Sequence, residues 1–241
     1  MIPDASDDLS KRLALLRLLQ LASPALPIGA FAYSQGLEPA VAAAIVHDEA
    51  TASAWLTGLL EGPLARQDLP VFARIHLAHA AGDDANARRW NAFLLASRPT
   101  AELQTEDRHL GTSLARVLAT MHVPDVCHAS AAPSARQDRA RFPSTLAGEF
   151  ARATAHFGID VRTAAETFAF TWAEAQTSAA VRLIPLGQSA GVRILARAGR
   201  SIPAAVDGAL ALDDDDLGGA APGLALLSAA HETQYSRLFR S

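Results

Sequence analysis

The sequence predicts an all-α, single-domain bundle of about nine to eleven helices around one central buried helix. Three observations carry that reading. The 241 residues include 53 alanines and two tyrosines, a composition that favours helix over strand, and half of them are apolar, enough for a sizeable core. The run from Thr163 to Ala198 holds the longest apolar stretch, at helical period. Cap residues and Gly or Pro stops recur at short intervals, so consecutive helices should be antiparallel neighbours.

In chain order, Leu9 to Leu21 is an amphipathic helix with Lys11, Arg12 and Arg17 opposite its leucines, predicted to face the core. Ser23-Pro24 ends it, and Ser23 to Glu38 follows as a proline-pinned link into a second helix that contains Pro39. Asp48 caps a helix carrying Trp55, Leu56, Leu59 and Leu60, which Gly62-Pro63 ends. A helix through Val71 to Ala81 stops at Gly82. Asp83 caps the next, through Arg88 to Ser97, with Trp90, Phe93 and Leu94 on one face. Thr100 caps another, lined by Leu103, Leu110, Leu114, Val117 and Leu118 to about Thr120. Prolines, Ser, Ala and Arg from 121 to 143 read as a long mobile loop. Ser144 then opens a helix to Phe157, closed by Gly158.

The central helix is Thr163 to Ile184, roughly 33 Å long. Phe168, Trp172, Ala175, Ala179 and Leu183 form one stripe and Phe170, Thr177, Val181 and Ile184 a second, so the helix is wrapped by others. Glu166, Glu174 and Gln176 within it need partners, and the two glutamates with Arg182 argue against a membrane span. Pro185 stops it, and Gly187 is expected as a left-handed cap of a helix–turn–helix joint. Gly187-Gln188-Ser189-Ala190-Gly191 also fits G-x-S-x-G, with Asp207 or Asp213 to Asp216 and then His231 downstream in hydrolase order. That elbow needs a strand before Ser189, and a helix-periodic, alanine-rich segment precedes it; a Ser189 hydrolase is therefore the second reading. Ile202 to Leu212 is helical. Asp213 to Asp216 with Gly218-Gly219 forms a solvated acidic turn, and Leu224 to Glu232 is the last helix.

Composition excludes several functions. Lys11 is the only lysine, so no G-x-x-x-x-G-K-[ST] phosphate loop exists and nucleotide hydrolysis is not expected. A net charge of −4 without a basic block argues against nucleic acid as a partner. One cysteine, Cys127, precludes an internal disulfide. With a polar, acidic Met1 to Ser10, it points to the cytoplasm. His76 and His79 share a helix face without a placed third ligand. His122, Cys127 and His128 share a loop and are the better cluster, since imidazole and thiolate suit nickel or zinc, but a fortuitous loop grouping is the expectation, so no metal site is assigned and no cofactor is expected.

Leu18 to Glu38, LLQLASPALPIGAFAYSQGLE, resembles the N-terminal signature of UreF-type urease accessory proteins. The likeness continues in order through Ala54-Trp55-Leu56, Gly58 to Leu60, Asp68-Leu69-Pro70, Trp90-Asn91, Leu94 to Arg98, Pro185 to Gln188 and the ending HETQYSRLFRS. The resemblance implies a non-enzymatic assembly factor. It would bridge a UreD-type scaffold and the UreG-type GTPase, coupling GTP hydrolysis to nickel insertion into apo-urease, and would act as a homodimer. It also implies partner-binding roles for Pro24, Pro27, Gly29, Tyr33, Ser34, Gly36 and Glu38 in the signature, and for Arg182, Pro185, Gly187 and Gln188 at the joint. At the end of the chain it implies them for His231, Glu232, Tyr235, Arg237, Phe239 and Arg240. Tyr and Arg dominate interface energetics, so the tail from 231 to 241 is expected to order on a partner, with packing on its own domain as the alternative, and deleting Ser236 to Ser241 is expected to cost the isolated domain little.

Overall fold

Asp160, whose side chain accepts the Thr163 N–H, starts the helix that organises this chain. In the computed structural model, which describes residues 5–124 and 144–241, the described residues form helices and turns and no strand. The helices are α1 (Ala5–Leu21), α2 (Leu37–Ala42), α3 (Glu49–Leu59), α4 (Leu69–Ala80), α5 (Asp84–Ala96), α6 (Ala101–Thr120), α7 (Leu146–His156), α8 (Val161–Leu183), α9 (Gln188–Leu210) and α10 (Pro222–His231). Single turns at Ala30–Ala32 and Asp214–Asp216 and a wide-wound segment, Leu60–Asp68, join them. None of these helices is long and apolar enough to cross a membrane.

The predicted stop at Gly62-Pro63 is a kink: Gly62 leaves helical geometry at φ −91°, ψ −107°. Asp48, Asp83 and Thr100 cap α3, α5 and α6 by accepting the N–H of Thr51, Asn86 and Leu103. The Thr51 hydroxyl, donating to Asp48, holds that carboxyl below its usual range. Thr145, not Ser144, caps α7. Pro39 lies in the first turn of α2, where a backbone N–H has no intrahelical partner to lose.

Helix α8 is the spine. Its first half enters the main core, where Phe168 stacks on Phe72 of α4 with centroids 5.1 Å apart and meets Phe150 of α7 edge-on at 5.6 Å. Its second half, through Ala179 and Ala180, enters a smaller cluster with Leu37, Leu56, Ile184, Ile194 and Phe239. The Arg162–Asp207 ion pair at one end, and Gly191 against Val181 at the other, show that α8 and α9 run antiparallel along their lengths. Half-buried Arg98 bridges Asp68 at 2.6 Å and Asp107 at 2.8 Å, and Asp107 also accepts the Leu146 N–H. The start of α4, the α5–α6 turn and the start of α7 are thereby locked together.

Four expectations need correction. The second stripe of α8 is incompletely covered, since Phe170 is exposed, so periodicity marked a face that solvent shares. Helix α1 buries only part of its leucine set: Leu18 and Leu21 enter the core, while Leu9, Leu13, Leu15, Leu16 and Leu19 are exposed. Gly187 is no left-handed cap. Its φ is −72° and it precedes α9 as an extended N-cap. Helix α9 begins fourteen residues before Ile202, at Gln188, and continues through Pro203. The loop expected near 121–143 falls mostly outside the described residues, and Cys127 and His128 with it.

Candidate functional site

The resemblance-derived residues converge where the signature link meets the end of the chain. Two glycines shape the link: Gly29 (φ +81°) and Gly36 (φ +80°) take left-handed geometry before the Ala30–Ala32 turn and before α2. Between them Tyr33 is extended, which leaves Tyr33 and Ser34 buried and carries Glu38 inward on α2.

Glu38 is the anchor. Its carboxylate accepts the backbone N–H of Leu238 at 2.7 Å and of Phe239 at 2.8 Å. A buried carboxylate requires such partners, and charge-assisted bonds to backbone N–H are among the stronger ones. Ser34 adds two contacts to Ser241, its hydroxyl and its N–H both donating to the Ser241 carbonyl, at 2.5 and 3.0 Å. The Arg240 N–H donates to the Ala32 carbonyl at 2.8 Å, and Phe239 fills the smaller cluster with the Arg182 guanidinium 4.7 Å from its ring centre.

Helix α6 supplies the other wall. Fully buried His231 is paired through Nδ1 with Glu102 at 2.6 Å and lies 3.4 Å from Glu38 through Nε2. Arg237 reaches the other Glu102 oxygen at 2.5 Å, and Glu232 accepts the Glu102 N–H. One turn further along α6, Glu106 accepts the Ser241 hydroxyl at 2.6 Å and the Gln35 amide at 2.7 Å. Burial pushes the Glu106 carboxyl up to about 7, against the lowering effect of those two donors.

This arrangement corrects the view of the tail as a segment without anchorage in its own domain. Phe239 and Ser241 are buried against α2, α6 and the link, so residues 231–241 belong to the packed domain. The reason is that Glu38, Glu102 and Glu106 find their hydrogen-bond partners there. The outward face is separate: Tyr235 is wholly exposed and Leu238 is 57% exposed. Phe31, whose carbonyl accepts from Arg182, is 75% exposed on the adjoining turn, and the side chains of Arg182, Arg237 and Arg240 are also at the surface.

Not every expected residue joins the junction. Pro24 and Pro27 are exposed, on a stretch whose Leu26 and Ile28 face the main core. Pro185, Gly187 and Gln188 are exposed at the α8–α9 joint, beside Ile184 and Leu186 of the smaller cluster. Glu102, Glu106, Gln35 and Ser241 were not singled out from sequence. The available signal was two glutamates one turn apart on a helix otherwise lined by leucines.

The hydrolase and metal readings gain no geometry. Helix α8 and a short extended link precede Ser189, which sits exposed in the first turn of α9, and both ring nitrogens of His231 face glutamates. Asp214 pairs with Arg74. His76 is buried with Nε2 against the Ile159 carbonyl at 2.9 Å, and burial lowers His79 to about 4. Among the described residues no three His, Cys, Asp or Glu side chains gather as a metal site.

Comparisons agree with the signature. The UreF family model matches residues 46–199. A urease accessory protein UreF from Alkalilimnicola ehrlichii is 44% identical over 98% of this chain and 100% of its own length. Its counterparts from Chromohalobacter salexigens and Pseudomonas putida strain W619 are each 47% identical over 95% of this chain, covering 95% and 98% of themselves. With a family model matching residues 46–199 and relatives 44–47% identical over 95–98% of its length, the chain belongs to the UreF family of urease accessory proteins.

Proposed function

We propose that this chain serves urease maturation by bridging a UreD-type scaffold and a UreG-type GTPase, so that GTP hydrolysis supports nickel insertion into apo-urease. It does so as a cytoplasmic assembly factor and homodimer, without chemistry of its own. The observation that carries the reading is the division of the tail into two faces. Phe239 and Ser241 hold it to the domain, while Tyr235 and Leu238 point away from it, with Phe31 on the adjoining turn. Exposed aromatic and aliphatic side chains ringed by Arg182, Arg237 and Arg240 fit a partner with an apolar centre and an acidic rim.

The test is a pull-down in which the tagged chain is mixed with the UreD-type and UreG-type proteins, with and without GTP. The reading expects one complex containing all three, with UreG-type retention dependent on the nucleotide. Retention of neither partner would contradict it.

A further inference from the structure

Helix α1 is apolar on two opposite sides. At about 100° per residue, Ala14, Leu18 and Leu21 share the side that packs on the main core, while Leu9, Leu13, Leu16 and Leu19 gather on the side directly away from it. Leu15 borders that outer side, and all five outer leucines are between 52% and 60% exposed. From Asp8 to Arg17 only Ala14 is even half-buried, so among the described residues nothing covers the outer side. An apolar patch of this extent marks an interaction site, and a helix with two apolar sides fits between two packed bodies.

The chemistry of that side selects its occupant. Arg12 lies on it and is held by Asp8 one turn earlier at 3.8 Å, while Arg17 turns to the domain, its guanidinium 5.8 Å from the Phe157 ring centre. The face therefore presents neither the band of cations that an anionic membrane attracts nor a single sign of charge for an oppositely charged protein. It is complementary to itself. In an antiparallel pair with Leu9 level with Leu19 of a second copy, the two-fold axis brings Leu16 over the aliphatic stem of the second copy's Arg12. Leu13 then meets its own counterpart on one side of the axis, and Leu15 meets its counterpart on the other. Five half-exposed leucines offer on the order of 500 Å² per copy, so the pair would bury about 1,000 Å², the area at which a specific interface begins.

We propose that α1 is the interface between two copies of this chain, packed antiparallel through Leu9, Leu13, Leu15, Leu16 and Leu19 about a two-fold axis. The proposal rests on the homodimer part of the reading above and gives it a face, and it does not depend on which accessory protein the tail docks. The core side of α1 stays on its own domain, so a second copy covers the outer side without displacing Leu18 or Leu21. None of Phe31, Tyr235 and Leu238 takes part, so the pair would carry two copies of the tail surface.

The test is the mass of the full chain in solution, by light scattering after size exclusion, for wild type, Leu9→Glu and Leu19→Lys. The proposal expects twice the chain mass for wild type, a dimer at least about tenfold weaker in each variant, and recovery when the two variants are mixed. Recovery is expected because the antiparallel register sets the two substituted positions opposite each other with opposite charges. Both positions are exposed in the single chain, so circular dichroism should show helix content retained in the variants. A wild-type dimer that both substitutions leave intact would overturn this face while the homodimer reading stands. Variants that dissociate and do not recover on mixing would overturn the antiparallel pairing. A monomeric wild type would overturn both the face and the homodimer, and its flotation with vesicles of phosphatidylcholine and phosphatidylglycerol would give the helix to a membrane instead.

Discussion

Glu38 accepts the backbone N–H of Phe239 at 2.8 Å, joining the start of α2 to the last residues of the chain across 201 positions. This one carboxylate also takes the Leu238 N–H, so the tail's main chain is fixed before its side chains are considered. The tail is thus a packed element with one outward face.

Phe239→Ala should consequently destabilise the isolated domain. Removing a buried phenylalanine costs about 3 kcal/mol, roughly 6–12 °C in melting temperature for a chain of this size. Deleting Ser236 to Ser241 should cost at least as much, because Glu38 and Glu106 also lose partners. Thermal unfolding checks both, and a truncated protein melting like the wild type would contradict the packed tail.

Glu106 predicts a pH dependence with a definite sign. Its folded carboxyl sits near 7 against 4.5 ordinarily, so folding takes up a proton between those values. The stability it contributes is complete below about 4.5 and lost as pH rises through about 7, roughly 3 kcal/mol in all. His79, lowered from 6.5 to about 4, works the other way, its contribution rising with pH between those values. The measurement is therefore the difference between wild type and Glu106→Gln in urea unfolding from pH 4.5 to 8. Wild type should lose stability relative to the variant as pH rises, and parallel curves would count against the buried Glu106.

Two glycines should respond differently to alanine. At Gly36, φ is +80° and an added Cβ would lie 2.7 Å from Leu224 Cδ1, so Gly36→Ala should cost about 1–2 kcal/mol. Gly187 has φ −72° and open space around its Cβ position, so Gly187→Ala should be within about 0.5 kcal/mol of wild type. Melting curves of the two variants decide; equal losses would contradict the backbone geometry at both sites.

Ser189→Ala should leave urease activation unchanged. The hydroxyl is exposed in the first turn of α9, and the histidine of the would-be triad is buried between Glu102 and Glu38. Urease activity in cells that depend on this chain for maturation checks it, and loss of activity with intact folding would revive the hydrolase reading.

Signals in the sequence are legible where the physics is local. Asp48, Asp83 and Thr100 announced their helices because a side-chain cap acts over three residues. The spine α8 was visible because its alanines and Phe168 recur at helical period. What depends on distant partners was hidden. Nothing near Glu102 or Glu106 indicates that their partners lie some 130 residues away, and the leucines of α1 look the same whether they face the core or solvent. Gly187 misled because a glycine after a helix usually marks a left-handed cap, whereas here Ile184 had already turned the chain into extended geometry.

Under the proposed function, the outward face of the tail docks a partner while its inward face holds the domain. The most direct measurement is the affinity of the UreD-type scaffold for a Tyr235→Ala, Leu238→Ala double variant, read by titration calorimetry alongside its melting curve. Because both side chains are exposed, melting should match wild type, while binding should weaken at least about tenfold if these residues anchor the interface. Wild-type affinity in the double variant would contradict the claim.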